Sequence, residues 1–302
     1  MMLTSSASSS GASAAATAPA NPALMQVRDL IYRTAGIFHP NNKLRLLEDR
    51  CQKRMQALGL ATLREYYDCL TVRPMRQAEL LSLLNEITIG ETSFFRNRPQ
   101  TDAIRNVVLP RIVTAKSNLA SPQLRIWSAG CSNGEEPYTL AMILLEESKS
   151  RLKGWNVEIL ATDLNERSLA NAKAGTYGDY STRNLEPYFR SKYFTVEGSK
   201  LRVRPEVQAS VEFRRMNLLD DAHVVFLKNI DLILCCNVLI YFNAVSKRRV
   251  IQHSYNNLLP HGYLFLGHSE SLFGVTEEFR LVHMPCATAY VKSGRRLADQ
   301  SK

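Results

Sequence analysis

The spacing of apolar residues changes character along the chain. Between Asn41 and Gly59 the set Leu44, Leu47, Cys51, Met55 and Leu58 recurs at intervals of three and four. That spacing lines one face of an α-helix, and Gly59 is a natural stop. Residues 62–70 and 75–84 repeat the helical texture on either side of Arg73-Pro74. Beyond Ser121-Pro122, short apolar runs alternate with helical segments. Residues 124–129, 157–161, 211–216, 231–236 and 263–266 read as strands, and 136–148, 166–174 and 244–259 as helices between them. Such alternation implies right-handed crossovers and a mostly parallel, doubly wound α/β sheet. Within an insertion at 177–210, residues 192–196 and 200–203 flank Glu197-Gly198-Ser199 as a β-hairpin. The insertion is too polar to contribute to the core. The expected organisation is a disordered Ser/Ala-rich tail (1–23), a helical domain (24–90), an α/β domain (91–291) and a basic C-terminal tail (292–302).

Composition narrows the class without choosing the function. With 45% apolar and 22% charged residues among 302, the chain is an ordinary globular protein. Its six cysteines show no C-x-x-C spacing, so no zinc site is expected and the thiols are read as reduced. The longest apolar stretch, 232–242, is broken by Asn237 and falls far short of the roughly 20 residues that span a bilayer. The N-terminus lacks the basic start and apolar centre of a secretory signal, so a cytoplasmic location is expected. A net charge of +10 suits an acidic protein partner as well as a nucleic acid. Lys43, Arg50, Lys53 and Arg54 lie off the apolar face of the first clear helix, either as a docking surface or as a solvated basic face.

Candidate chemistry gathers at the ends of the expected strands. The first strand runs into Gly130-Cys131-Ser132-Asn133-Gly134-Glu135-Glu136, where the glycines allow close backbone approach to a ligand or simply make a tight turn. Paired carboxylates at a helix start would repel a pyrophosphate. Glu135 and Glu136 instead suit a ligand with a positive end, such as the amino group and sulfonium of S-adenosylmethionine, although they also meet the helix dipole favourably. Asp163 ends the second strand, as an acceptor for ribose hydroxyls or as the N-cap of the next helix. Asn237 and Tyr241 follow the fourth strand and face the same crevice. Upstream, Phe94 and Phe95 are expected as interdomain core. His223, His253, His261, His268 and His283 read as structural or surface residues, with His268, in the Gly-His-Ser-Glu turn after the fifth strand, the one to inspect.

Together, six segments resemble the chemotaxis receptor methyltransferases (CheR-type): 85–96 (NEITIGETSFFR), 127–142 (WSAGCSNGEEPYTLAM), 161–177 (ATDLNERSLANAKAGTY), 213–220 (FRRMNLLD), 237–242 (NVLIYF) and 267–272 (GHSESL). They occur in family order and span most of the chain. The resemblance implies a small all-α domain followed by a Rossmann-like methyltransferase domain with a small antiparallel β insertion. It also implies S-adenosylmethionine as cofactor, S-adenosylhomocysteine as product and no metal. The implied partner is the cytoplasmic helical domain of chemoreceptors, with no nucleic acid and no membrane insertion, for a monomer recruited to membrane receptor arrays.

By matching positions, Thr92, Arg96, Glu136, Asp163, Asn217, Leu218 and Asn237 are implied to contact the cofactor, and Arg96 and Tyr241 to lie closest to the transferred methyl. Two further positions of the implied cofactor site depart from the family: Gly90 stands where an Asn is common, and Cys236 where Arg precedes the motif Asn. The implied reaction is methyl transfer to a glutamate carboxylate, which is already ionised at neutral pH and needs no general base. The competing expectations are a nucleic-acid methyltransferase, favoured only by the charge, and a catalytically silent cofactor-binding module, motivated by Gly90 and Cys236. The hairpin turn is shorter and poorer in glycine than in members that capture a receptor C-terminal peptide, so that tether is expected to be absent.

Overall fold

The computed structural model describes residues 21–72, 74, 76–88, 90–225, 227–285 and 287–293. Nearly all of both expected tails, together with Arg73, Met75 and Cys286, lies outside them. Helix α1 (Pro22–Ala35) starts two residues earlier than the pattern suggested, because the Asn21 side chain accepts the Ala23 N–H at 2.9 Å and Pro22 fits the first turn. Helices α2 (Leu44–Leu58), α3 (Leu63–Thr71) and α4 (Arg76–Ile87) follow. Gly59 stops α2 at φ 66°, and Thr62 with Glu65 forms a capping box on α3. Leu24, Val27, Ile31, Leu47, Cys51, Tyr66 and Leu83 make one buried core among the four helices.

The second domain carries strands β1 (Gln123–Ala129), β2 (Asn156–Asp163), β3 (Thr176–Tyr177), β4 (Phe194–Glu197), β5 (Lys200–Val203), β6 (Val211–Arg215), β7 (Ile230–Cys235), β8 (Leu258–Leu266), β9 (Phe279–Met284) and β10 (Ala287–Lys292). Seven of them form a sheet in the order β6-β2-β1-β7-β8-β10-β9. The first five are mutually parallel, whereas β10 is antiparallel to both β8 and β9. The strand order reverses between β1 and β7, which opens a crevice at their carboxyl ends. The sheet is therefore mixed, and the sequence pattern missed its last two strands. At this half-solvated edge Arg280 and His283 interrupt the apolar run, so no continuous hydrophobic signal marks it.

The insertion forms a three-stranded sheet in the order β3-β5-β4. Contrary to expectation it belongs to the core: Tyr177, Phe189, Tyr193, Phe194, Leu201 and Val203 are buried there. Phe94 and Phe95 pack into this layer rather than between the domains. Phe94 meets Tyr177 and Phe194 edge-on at 4.8 and 5.1 Å, and Phe95 meets Phe189 at 4.8 Å.

The helical domain closes over the crevice through specific bonds. Ile37 bridges Phe242, and the Phe38 N–H donates to the Tyr241 carbonyl at 2.9 Å. Asn165 Nδ2 donates to the Asn85 and Thr88 carbonyls at 3.1 and 3.2 Å, and Glu86 takes both Lys53 and Arg167. No helix among the described residues is long and apolar enough to cross a membrane.

Candidate functional site

A cavity of about 600 Å³ lies at the carboxyl ends of β1, β2 and β7, beneath the helical domain. That size suits a nucleoside-sized ligand. Its first wall is the turn from β1 into helix Glu135–Glu147, where Gly130, Ser132 and Gly134 have φ of 79°, 51° and 92°. Gly130 has no alternative, since a Cβ there would lie 2.4 Å from Val238. Ser132 is held in its left-handed conformation by its N–H donating to Asp163 Oδ2 at 2.8 Å. The Ser132 hydroxyl, buried against this cavity, has no hydrogen-bond partner. An orphan of this kind calls for a ligand or water group to satisfy it.

Asp163 ends β2 with Oδ1 accepting the Asn165 N–H at 2.8 Å. The helix N-cap is Asn165, whose side chain accepts the Ser168 N–H at 3.0 Å. Of the two roles open for Asp163, the cap is therefore taken by another residue, and its carboxylate lines the cavity. Burial pushes its pKa up, against three backbone N–H groups that favour the ionised form.

The acidic pair at the helix start divides. Glu136 lines the cavity, and its Oε1 accepts the Ser128 hydroxyl at 2.7 Å. Burial raises its pKa, opposed by Ser128, the Cys236 thiol and Arg96. Glu135 lies outside the cavity lining, and Ser181 and Arg183 of the insertion moderate its burial-raised pKa. The pair was expected to serve one ligand together, but adjacent helical residues point about 100° apart, so only Glu136 reaches it.

Gly90, Thr92, Arg96, Leu218, Cys236, Asn237 and Tyr241 all line the same cavity. Arg96 is exposed at the mouth, with Nη1 donating to the Glu91 carbonyl at 2.8 Å. Tyr241 is half-buried, and burial followed by the nearby Asp163 raises its pKa. At Gly90 a Cβ would lie 2.1 Å from Ser132 Oγ, so any side chain there would displace that hydroxyl. Asn217 departs from expectation: its Nδ2 donates to the Thr34 carbonyl at 2.7 Å and its Oδ1 accepts the Leu219 N–H, and the neighbours Met216 and Leu218 face the cavity instead.

The expected basic surface also splits. Lys43 and Lys53 are exposed and Arg50 is half-buried, but Arg54 is drawn into a two-pronged ion pair with buried Glu79 at 2.9 and 2.7 Å. Arg54 is accordingly withdrawn from the docking set. Sequence reasoning missed Ser132, Gln100 and Ile37 as lining residues. Ser132 lay inside the quoted glycine turn and was legible there. Gln100, whose Nε2 donates to the Leu266 carbonyl at 3.0 Å, and Ile37, delivered by the helical domain, had no sequence signal. His268 is exposed at the mouth, and the described residues contain no cluster fit to hold a metal.

Residues 90–288 match the family described as CheR methyltransferase, SAM binding domain, and residues 22–88 match CheR methyltransferase, all-alpha domain. The chain belongs to the CheR methyltransferase family. It is 33% identical over 274 residues to chemotaxis protein methyltransferase 2 of Vibrio cholerae, covering 90% of this chain and 93% of that one. Chemotaxis protein methyltransferase 1 of Pseudomonas aeruginosa is 36% identical, with 84% and 92% covered. The chemotaxis protein methyltransferase of Listeria monocytogenes is 38% identical, with 81% and 86% covered. The cavity wall of this chain carries the half-buried carboxylates of Glu136 and Asp163 and the unsatisfied hydroxyl of Ser132.

Proposed function

We propose that this chain methylates glutamate side chains on the cytoplasmic helical domain of chemoreceptors, forming glutamyl methyl esters during signal adaptation. The observation that carries the proposal is that Arg96 and Tyr241 share one cavity with Glu136 and Asp163. Glu136 would hold the amino group of S-adenosylmethionine and Asp163 its ribose hydroxyls, with Thr92, Leu218, Asn237 and the backbone at Cys236 completing the cradle. The cofactor supplies an electrophilic methyl group. The accepting carboxylate, with an ordinary pKa of about 4.3, is ionised at neutral pH, so no residue of the chain has to remove a proton. What remains for the protein is alignment and exclusion of water. Arg96, exposed at the mouth, attracts and orients the carboxylate, and half-buried Tyr241 shapes the space around the methyl. Lys43, Arg50 and Lys53 are proposed to steer the acidic receptor helix. The enzyme is proposed to work as a cytoplasmic monomer recruited to receptor arrays.

The test is transfer of radiolabel from methyl-labelled S-adenosylmethionine to a chemoreceptor cytoplasmic fragment, to RNA, or to no acceptor. Base-labile label on the receptor alone is expected. Arg96→Ala should depress turnover more than Tyr241→Phe, each affecting turnover more than S-adenosylhomocysteine affinity. Label on RNA would favour a nucleic-acid methyltransferase. Cofactor binding without transfer to any acceptor would favour a silent module.

A further inference from the structure

Glu270 lies in the turn after β8 and does not line the cavity, yet its carboxylate binds the segment that does. Oε2 accepts the N–H of Asn237 at 2.7 Å and that of Gly267 at 2.8 Å, while Oε1 accepts the Ile240 N–H at 3.3 Å. Its own N–H donates to the Gly267 carbonyl at 2.9 Å, which folds the side chain back over its turn. One carboxylate thereby ties the carboxyl ends of β7 and β8 to the short helical turn Leu239–Tyr241. Asn237 sits at φ 62°, a conformation that a non-glycine residue keeps only when its surroundings impose it. Gly267 leaves the room: a Cβ there would lie 2.7 Å from the Asn237 nitrogen and 2.8 Å from Glu270 Oε2.

We propose that Glu270 is a positioning residue for methyl transfer, holding Asn237 against the cofactor cavity through one oxygen and Tyr241 at its mouth through the other. This inference rests on the methylation reading above. The two oxygens have separable tasks. An amide at position 270 can keep its carbonyl oxygen on the paired N–H groups of Asn237 and Gly267, because turning its NH₂ toward them would oppose two donors. The NH₂ then faces the Ile240 N–H, donor against donor, and the hold on the Tyr241 turn is lost.

The experiment compares Glu270→Gln and Glu270→Ala with the wild type, using calorimetric titration of S-adenosylhomocysteine and steady-state methylation of a receptor cytoplasmic fragment. For Glu270→Gln, cofactor affinity is expected within about twofold of wild type and kcat at least about tenfold lower, with receptor KM unchanged. For Glu270→Ala, affinity should also fall, by roughly tenfold. Wild-type kcat in Glu270→Gln overturns the proposal, as do equal losses of affinity and kcat in both variants, which a general structural role predicts. Thermal melting establishes that each variant is folded, and if the alanine variant is not, the glutamine variant alone decides. An inactive wild type would defeat the methylation reading, whereas the affinity of Glu270→Ala would still test the hold on Asn237.

Discussion

Replacing Arg54 by alanine should cost the helical domain far more than replacing Arg50, which lies one turn away on the same helix. Nε and Nη2 of Arg54 donate to the two oxygens of Glu79 at 2.9 and 2.7 Å, and the Tyr66 hydroxyl donates to Oε1 at 2.8 Å. Glu79 is 4% exposed and Tyr66 fully buried, so water cannot replace the guanidinium on both oxygens. Removing one partner of a buried ion pair costs about 3–5 kcal/mol. The Tyr66 bond survives and the Arg54 side chain is itself 16% exposed, which favours the lower end, about 3 kcal/mol. Total stabilities of roughly 5–15 kcal/mol make that a large fraction. Arg50→Ala should fall within about 0.5 kcal/mol of wild type. Urea unfolding followed by circular dichroism, with the midpoint and slope fitted for each variant, measures both. A loss below about 1 kcal/mol for Arg54→Ala, or an equal loss for Arg50→Ala, would refute the argument. Joint replacement of Arg54 and Glu79 by Met and Leu should recover part of the loss, because no buried charge is then stranded. Charge reversal at Lys43 and Arg50 therefore tests receptor docking cleanly, through a raised KM with less dependence on salt, while reversal at Arg54 would report unfolding.

Asp163→Asn retains one acceptor oxygen for the backbone and should weaken S-adenosylhomocysteine binding by about 1.5–3 kcal/mol, or roughly 10- to 150-fold; undiminished calorimetric affinity would remove Asp163 from the site. Burial raises the pKa of both Asp163 and Glu136, so on acidification cofactor affinity should begin to decline at a higher pH than the one at which exposed carboxyls titrate. The effect of these two groups on stability has the opposite sign, because the folded state binds their protons more readily and loses stability as pH rises from the ordinary carboxyl range through the raised values. Affinity that stays flat until the ordinary carboxyl range is reached would count against both assignments. An isolated receptor C-terminal pentapeptide should show no measurable binding despite the open edge at β4, because the hairpin turn at Gly198 is short and has one glycine. Micromolar affinity in a calorimetric titration would make the hairpin a docking site after all.

Wherever the chemistry is local, one strand with its following turn or one helix face, the sequence carried it. The period of Leu44, Leu47, Cys51 and Met55 announces the buried face of α2, and the glycines at 130 and 134 announce a turn that only residues tolerant of positive φ can make. Asp163, Asn237 and Tyr241 were placed at one crevice because parallel strands must present their carboxyl ends on the same side. What the sequence left open was decided by long-range packing. Whether Asp163 caps a helix or faces a ligand depended on Asn165 taking the cap. Whether Arg54 faces solvent depended on α4 bringing Glu79 against α2. The polar insertion became core because its aromatic side chains, dispersed in sequence, converge on Phe94, Phe95 and Tyr138. Such contacts join residues tens of positions apart, and no periodicity within a strand or helix encodes which of them will meet.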